Sequence, residues 1–269
     1  MGTIDLILAS PECTNHSPAR GNSIKSEEAE HSRMTAFHVV RFARVLKPRW
    51  IVVENVISMK KWMRYPEFLR KLKGLGYHIR EQVLDAADFG VPQSRKRLFI
   101  TCSLSSDPPE IVPPAHDARK PARSVIDLNG QYSFSDLRTT NRAKSTVERA
   151  NRAIRALGRH AKFLIVYYGS DGAGGWQGLG RPLRTVTTLD RFALVRPANT
   201  GHQMRMLQVS ELKVAMGLPQ SFKLLHGTRR ERIRMLGNAV CPPVVETIVR
   251  SLVRQAKGKK QSVRNRPRK

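Results

Sequence analysis

Cys13 is the residue of this chain best placed for covalent chemistry. It lies in a Pro-Glu-Cys-Thr-Asn turn directly after an apolar run at residues 4–9. The turn after a buried strand presents side chains at the edge of a sheet, where a thiolate can act as a nucleophile. The alternative is a small, inert side chain inside the core, as cysteines outside disulfides usually are.

Glu54 is a second candidate, with a carboxyl group suited to proton transfer. It follows a short, mostly β-branched run at residues 50–53. If this run is a parallel strand beside the first one, Glu54 lies at the same sheet edge as Cys13 and can exchange a proton with a substrate. Its position alone leaves open a helix cap or a salt bridge.

Arg95 and Arg97 form a basic pair in a Gln-Ser-Arg-Lys-Arg block at the entry to a predicted strand. Side chains two residues apart in a strand share a face, so we expect the two guanidinium groups on the same side. Such a pair can bind a phosphate or an anionic intermediate. The alternative is a solvated charge cluster.

Metal and disulfide chemistry are not indicated. The three cysteines include no Cys-x-x-Cys pair, so we predict neither a disulfide framework nor a zinc site. The histidines show no ligand spacing with one another, and we expect no metal.

An alternation of strands and helices must position these groups. Apolar residues recur at helical spacing between residues 34 and 45, and a second helix begins near Pro66 and ends at Gly74. Strands are predicted at residues 50–53, 77–84 and 97–102. This rhythm predicts an α/β fold with a partial doubly wound, Rossmann-like, mostly parallel sheet.

Composition changes after Leu104, where a proline-rich stretch indicates a linker or a change of domain. A basic helix is predicted at residues 142–162, and strands are predicted at residues 163–168 and near residues 184–189. Further helices are predicted at residues 210–216 and 243–253. Residues 254–269 are strongly basic and predict a disordered tail.

The charge of the chain points to a polyanionic partner. Its 269 residues include 48 Lys and Arg against 21 Asp and Glu, a formal net charge of +27. Such self-repulsion favours binding to nucleic acid. No apolar run approaches the roughly 18 residues that span a bilayer, and the N-terminus lacks a secretory pattern. We therefore expect an intracellular, cytoplasmic protein without a membrane partner.

Six blocks in this order resemble the DNA (cytosine-5) methyltransferase family. The first three are Ser-Pro-Glu-Cys with Asn15 and Ser17, the Glu-Asn-Val that begins at Glu54, and the Gly-Val-Pro-Gln-Ser-Arg-Lys-Arg that ends at Arg97. The other three are Arg-Pro with Thr-Val-Thr-Thr at residues 181–188, Arg-Met-Leu with Glu211 and Met-Gly-Leu-Pro at residues 205–219, and Gly-Asn-Ala-Val-Cys-Pro-Pro at residues 237–243. Together they extend from near the first residue to about residue 253.

The resemblance implies transfer of a methyl group from S-adenosyl-L-methionine to C5 of a cytosine in double-stranded DNA, as in restriction-modification systems. Cys13 matches the nucleophile that adds to C6. Glu54 matches the residue that engages N3 and the exocyclic amine of the base, and Arg95 and Arg97 match the pair that orients it. The target base must leave the DNA double helix, and the positive charge of this chain binds the phosphates on either side of it.

The resemblance also divides the chain. It implies a catalytic half at residues 1–104, a target-recognition region at residues 105–204, and helices at residues 205–253 that return to the catalytic domain. The resemblance assigns contacts with DNA to Ser17, Arg181 and Thr187, and a contact with the cofactor to Asn238.

Two departures from the family pattern matter. Glu12 stands where the family most often has a second proline, and an acidic neighbour can raise a thiol pKa. The Gly-rich strand and loop that open the family's cofactor domain are not found before Cys13. We therefore expect an enzyme that is incomplete without its N-terminal, cofactor-binding half, carried by a separate subunit or lost through truncation or start-site choice.

Two alternatives remain open from the sequence. The chain is either an enzyme of this kind or a catalytically inactive DNA-binding remnant, which the same charge would support. Methylation of RNA is a third reading, because a fold alone does not decide the substrate.

Overall fold

The computed structural model describes residues 4–16, 27–114, 119–128, 130–168 and 174–264. The chain forms two compact units. Unit 1 comprises Met1–Asp85, Lys96–Pro113 and Val244–Lys269, and unit 2 comprises Ala86–Arg95 and Pro114–Pro243. None of the described helices is long and apolar enough to cross a membrane.

The helices are named in chain order. They are α1 (Glu27–Arg33), α2 (Ala36–Leu46), α3 (Tyr65–Gly74), α4 (Lys144–Leu157), α5 (Val209–Ala215), α6 (Arg229–Asn238) and α7 (Pro242–Arg264).

Unit 1 is built on a four-stranded sheet. Its strands are β1 (Leu6–Ala9), β2 (Trp50–Asn55), β3 (His78–Asp85) and β4 (Lys96–Ser103), in the order β1-β2-β4-β3. The α/β class is confirmed, but the sheet is not mostly parallel: β1 and β2 are parallel, and β4 is antiparallel to both of its neighbours. The ten residues between β3 and β4 hold a 3₁₀ turn rather than a crossover helix, so the chain returns in the opposite direction.

The core of unit 1 lies on the face of the sheet that α2 and α3 cover. α2 buries residues at helical spacing, namely Ala36, Val39, Val40 and Ala43, and ends at Lys47, whose φ of 42° closes the helix before a proline. α3 carries a proline in its first turn and buries Phe68 and Leu72. β2 is buried along its whole length, as its β-branched run predicts.

Unit 2 contains a five-stranded, antiparallel sheet. Its strands are β5 (Ser135–Asp136), β6 (Phe163–Val166), β7 (Trp176–Gly178), β8 (Phe192–Ala198) and β9 (Gly201–Met206), in the order β5-β9-β8-β6-β7. α4 packs Ala150 and Ala153 against this sheet, together with Leu137. The small side chains let the helix approach closely and leave its arginines at the flanks and in solvent.

The structure differs from the sequence predictions at two places. Residues 184–189 form no strand, because their backbone and side chains bond instead to the loop at residues 92–94. The predicted division of the chain at residues 104 and 204 stays a prediction; unit 1 includes Val244–Lys269. α7 continues to Arg264 rather than ending at residue 253, since these residues are mostly good helix formers and Gln255 donates to Asp107 O at 2.9 Å.

Candidate active site

The three thiols of the chain differ in accessibility. Cys13 lies beyond the end of β1, directly before a 3₁₀ turn at Thr14–His16, and is partly exposed. Cys102 in β4 and Cys241 are buried. Burial raises the pKa of the Cys102 thiol to about 12, which leaves it protonated. Cys13 is therefore the thiol that a substrate can reach.

The backbone around Cys13 is held by side chains from later in the sequence. Glu12 donates its N–H to Thr35 Oγ1 at 3.1 Å, which ties the turn to the start of α2. Three side chains donate to carbonyl groups of the turn: Asn55 Nδ2 to Pro11 at 3.1 Å, Arg33 Nε to Asn15 at 3.1 Å and Ser58 Oγ to His16. These bonds fix the position of the thiol before any substrate binds.

His16 closes the turn on its buried side. Its ring meets the Trp62 ring edge to face at a centroid distance of 5.4 Å, and Trp62 Nε1 donates to Glu30 at 3.0 Å. Burial, with a smaller contribution from the Arg33 charge, lowers the pKa of His16 to about 4. The imidazole is neutral near pH 7 and acts as an aromatic packing group.

Glu54 and Arg97 form an ion pair in the same unit. The parallel register places Ala9 beside Val53, so the turn carrying Cys13 and the residue after Val53 emerge at the same edge. Glu54 Oε1 lies 3.3 Å from Arg97 Nε, with side-chain exposures of 9% and 16%. Asn55, the next residue, donates to Pro11 in the Cys13 turn. Two of the predicted residues are thus in contact, and a bond links their strand to the third.

Arg95 makes a different set of contacts. It lies one residue before β4 begins and belongs to unit 2. Its guanidinium donates to Val186 O at 2.9 Å and to Gly237 O at 2.8 Å, and the residue is buried. The strand alternation that predicts a shared face with Arg97 does not apply at this position, since Arg95 precedes the strand.

Three of the sequence blocks meet in unit 2 around Gln93. Gln93 Oε1 accepts from Val186 N at 2.6 Å, and its Nε2 donates to Ala215 O at 3.1 Å. Thr185 Oγ1 donates to Ser94 O at 2.9 Å. At the same junction a Cβ on Gly237 would lie 2.3 Å from the Thr187 carbonyl carbon, so only glycine fits there.

A second cluster of block residues is buried beside α5. Arg205 and Glu211 pair at 2.6 Å with side-chain exposures of 3% and 5%. Glu211 also accepts the N–H groups of Gln208 at 2.6 Å and Asp127 at 2.8 Å. Glu211 therefore caps α5 and holds a loop, which is a structural role that the spacing of the block does not reveal.

The residues predicted to contact DNA or cofactor occupy varied positions in unit 2. Arg181 is exposed, and its carbonyl accepts from Ala122 N at 2.7 Å. Thr187 is half-buried, and Asn238 is exposed at the end of α6. Ser17 lies outside the described residues. Their roles remain predictions.

One cavity among the described residues does not fit S-adenosylmethionine. This donor carries a positive sulfonium and a ribose diol, for which a carboxylate is the usual partner. A cavity of about 360 Å³ in unit 2 is lined by Arg229 and Arg232 among others, with no carboxylate. Two cations disfavour a cationic donor.

Sequence reasoning missed the groups that hold the Cys13 turn. Arg33 and Thr35 lie about twenty residues after the turn and Ser58 lies more than forty residues after it, so spacing gives no indication of the contacts. The sequence offers one signal for these contacts: Ser58 is a polar residue shortly after the end of β2.

The chain is similar to known methyltransferases over most of its length. The type II methyltransferase M.SacI of Streptomyces achromogenes is 26% identical over 94% of this chain and 73% of its own length. M.HindV of Haemophilus influenzae is 26% identical over 88% of this chain and 70% of its own length. A DNMT2 variant of Spodoptera frugiperda, 16% identical, superposes with a TM-score of 0.62 over 93% of this chain and 79% of that one, which shows a shared fold.

The family profile of C-5 cytosine-specific DNA methylases matches residues 1–254. With Cys13 and the Glu54–Arg97 pair at one edge of an α/β sheet, and with most of the chain matched, this chain belongs to the C-5 cytosine-specific DNA methylase family.

Proposed function

We propose that this chain is the catalytic and target-recognition part of a DNA cytosine-5 methyltransferase in which Cys13 forms the covalent adduct. The observation that carries the proposal is the Glu54–Arg97 pair at 3.3 Å, linked through Asn55 to the turn that presents the accessible thiol. Nucleophile and proton-transfer group are thereby held on adjacent strand ends, as addition to a pyrimidine ring requires.

The proposed addition divides the work between two side chains. The Cys13 thiolate forms a bond to C6 of the flipped cytosine, and the electrons of the C5–C6 double bond move into the ring toward N3. Glu54 shares a proton with N3 and so neutralises the charge that develops there. C5 is then nucleophilic. The methyl group would come from S-adenosylmethionine, the donor that the family generally uses, which would leave as S-adenosylhomocysteine. Loss of the C5 proton and release of the Cys13 thiolate from C6 would then restore the C5–C6 double bond.

The two arginines take different parts in this proposal. Arg97 holds the Glu54 carboxylate and contacts the base. Arg95 is a positioning residue, because its guanidinium bonds to two backbone carbonyl groups in unit 2. Asn238 would face the donor.

The exposed positive side chains serve to bind DNA in this proposal. Exposed cations of α4 and the turn after it, with Arg181 and Thr187, would contact phosphates, and counterion release makes such binding salt-dependent. Extrusion of the base costs a few kcal/mol, which these contacts offset. We further propose that this chain acts on double-stranded DNA inside the cell.

A donor-independent trap tests the Cys13 role. Duplexes with pyrimidin-2-one in place of cytosine lack the 4-amino group, so C6 is more electrophilic and accepts a thiolate without methyl transfer. A pool with randomised flanking sequence avoids the need to know the target. We expect an adduct that resists denaturation for the chain and for Cys241→Ala, and none for Cys13→Ser. Intact DNA binding with no adduct from the unaltered chain would favour the inactive remnant.

Glu54→Gln tests the proton-transfer role. The amide keeps the shape of the side chain but cannot deliver a proton, so we expect adduct formation to slow by at least about 100-fold. The dissociation constant for DNA, measured by fluorescence anisotropy, should change less than twofold. An equal loss of rate and of DNA affinity would show that Glu54 serves binding or folding instead.

A further inference from the structure

The cavity of about 360 Å³ in unit 2 is lined by groups that suit an anion. Arg229 and Arg232 of α6 contribute guanidinium groups, and Tyr132 and Ser210 contribute hydroxyl groups. Its volume lies in the range of small-molecule sites. Guanidinium groups and neutral hydroxyl donors together form the set that binds phosphate oxygens.

Arg232 has hydrogen-bonding capacity that the described residues do not use. Its Nε is buried without a partner, and its Nη2 makes one long bond to Leu225 O at 3.4 Å. Arg205 also leaves its Nε unbonded, but both of its terminal nitrogens bind Glu211 and backbone carbonyl groups. Arg232 therefore keeps charged donors available to a ligand in the cavity.

Arg229 is held firmly in the wall of the same cavity. Its Nε and Nη2 donate to one carboxylate oxygen of Asp190 at 3.1 and 2.7 Å, and its Nη1 donates to Gln208 Oε1 at 3.2 Å. These bonds occupy most of its donors, and Asp190 offsets its charge. Arg229 therefore shapes the wall, and the direct contact with an anion is left to Arg232.

The other carboxylates beside the lining residues are engaged in bonds of their own. Glu231 accepts from the N–H and the hydroxyl of Thr228 at 2.7 and 3.0 Å, which caps α6. Glu211 pairs with Arg205 at 2.6 Å. Residues 223–234 carry five Lys and Arg against one Glu. The surroundings are thus positive overall, which raises the local concentration of anions.

We propose that this cavity is a phosphate-binding site, in which Arg232 contacts the phosphate oxygens and the hydroxyl groups of Tyr132 and Ser210 donate to them. The two hydroxyl oxygens lie 3.1 Å apart, so both can meet one tetrahedral group. A free nucleotide and the backbone of duplex DNA present the same oxygens to such a site. No step of the proposed methyl transfer uses these groups.

Calorimetric titration of the full chain tests the site. The probes are inorganic phosphate and thymidine monophosphate, with thymidine as the control that lacks a phosphate. We expect saturable binding of both phosphates, at least tenfold weaker in Arg232→Gln. Arg234→Gln removes the same charge from an exposed position of α6 and should change the affinity less than twofold. Absence of saturable phosphate binding, or equal losses in the two variants, would overturn the proposal.

Tyr132→Phe provides a second test that leaves the charge of the chain unchanged. It removes the hydroxyl but keeps the ring that lies 5.0 Å from the Arg205 guanidinium, so we expect thermal stability to be retained. Phosphate binding should weaken at least threefold. An affinity equal to that of the parent chain would show that the hydroxyl does not face the anion and would refute the arrangement.

The salt dependence of DNA binding identifies the source of the phosphate. Fluorescence anisotropy of a duplex with randomised sequence is measured at several salt concentrations. If a backbone phosphate occupies the cavity, Arg232→Gln should lower the slope of log K against log salt by about one, and Arg234→Gln should not. An unchanged slope together with weaker phosphate binding assigns the cavity to a free nucleotide. An unchanged slope with unchanged phosphate affinity would overturn the site altogether.

Discussion

The charged pairs of the two units differ in how closely they are enclosed. In unit 2, Arg205 and Glu211 approach to 2.6 Å with 3% and 5% of their side chains exposed, and Glu211 also holds two backbone N–H groups. In unit 1, Glu54 and Arg97 are 3.3 Å apart with 9% and 16% exposed. The first pair is the more fully enclosed, while the second lies at the sheet edge where the turn that carries Cys13 also emerges.

This difference shows that the spacing of a motif does not distinguish residues that react from residues that stabilise the fold. Both pairs belong to sequence blocks of the same family, and both join an arginine to a glutamate. Only contacts distinguish the Glu211 carboxylate, which caps a helix, from the Glu54 carboxylate, for which we propose a role in the reaction. Substitutions that disturb one property, either folding or reaction, therefore test the comparison directly.

Removal of Arg205 should produce the largest effect on stability. Arg205→Met keeps most of the side-chain volume but leaves the Glu211 carboxylate buried without its cation, so we expect a loss of about 3–5 kcal/mol of unfolding free energy. Urea denaturation measures the loss, and hydrogen exchange assigns it to unit 2. A loss below about 1 kcal/mol would remove the distinction between the two pairs.

Acid should destabilise unit 1 through His16. Its pKa is lowered by burial to about 4, whereas in the unfolded chain it is about 6.5. The unfolded state therefore binds the proton more readily between these values. Stability falls as the pH drops from about 6.5 to about 4, by up to about 3 kcal/mol, and this contribution is constant outside that window.

His16→Phe isolates this contribution from that of the carboxylates. Phenylalanine can keep the edge-to-face contact with Trp62 but does not titrate. The difference in unfolding free energy between variant and parent should therefore change with pH across the same window. A difference that is constant from pH 7 to pH 4 would contradict the buried, neutral imidazole.

Arg95 and Arg97 provide a matched test with one substitution type. In Arg95→Lys a single ammonium cannot reproduce the planar fork that meets Val186 O and Gly237 O, so we expect about 2 kcal/mol of destabilisation. In Arg97→Lys the positive charge beside Glu54 remains, and the unfolding free energy should change by less than about 1 kcal/mol.

The rate of adduct formation should show the opposite order from the losses of stability. We expect Arg97→Lys to slow adduct formation with pyrimidin-2-one DNA more than Arg95→Lys does, once both are assayed at a temperature where each is folded. Equal stability losses, or a larger rate effect at Arg95, would show that the two arginines share one role.

Much of unit 1 could be predicted from local pattern. The helix over residues 36–46 and the buried strand at residues 50–55 follow from periodicity and β-branched composition. The reversal of β4 could not, because strand direction depends on the length of the connection and on the partner, not on the strand's own residues. The hairpin of β8 and β9 was missed for a similar reason, since β9, with the sequence Gly-His-Gln-Met-Arg-Met, has weak strand preference of its own and depends on its pairing with β8.

The candidate site was predictable in its chemical groups but not in its supports. Cys13 and Glu54 follow strands, and that position alone places them at an edge. Arg95 looks identical to Arg97 in sequence, and only the contacts with residues 186 and 237, far along the chain, give it a different environment. Long-range contacts of this kind leave no local signature.

The smallest effect on stability should come from an ion pair that is neither buried nor near the candidate active site. Glu246 and Arg250 of α7 are one helical turn apart at 2.7 Å, with exposures of 59% and 65%. Water screens such a pair, and alanine is the better helix former, so Glu246→Ala should change the unfolding free energy by less than about 0.5 kcal/mol. Urea denaturation at low and high salt would measure it. A cost near that of Arg205→Met would mean that the number of ion pairs, rather than their enclosure, determines stability here.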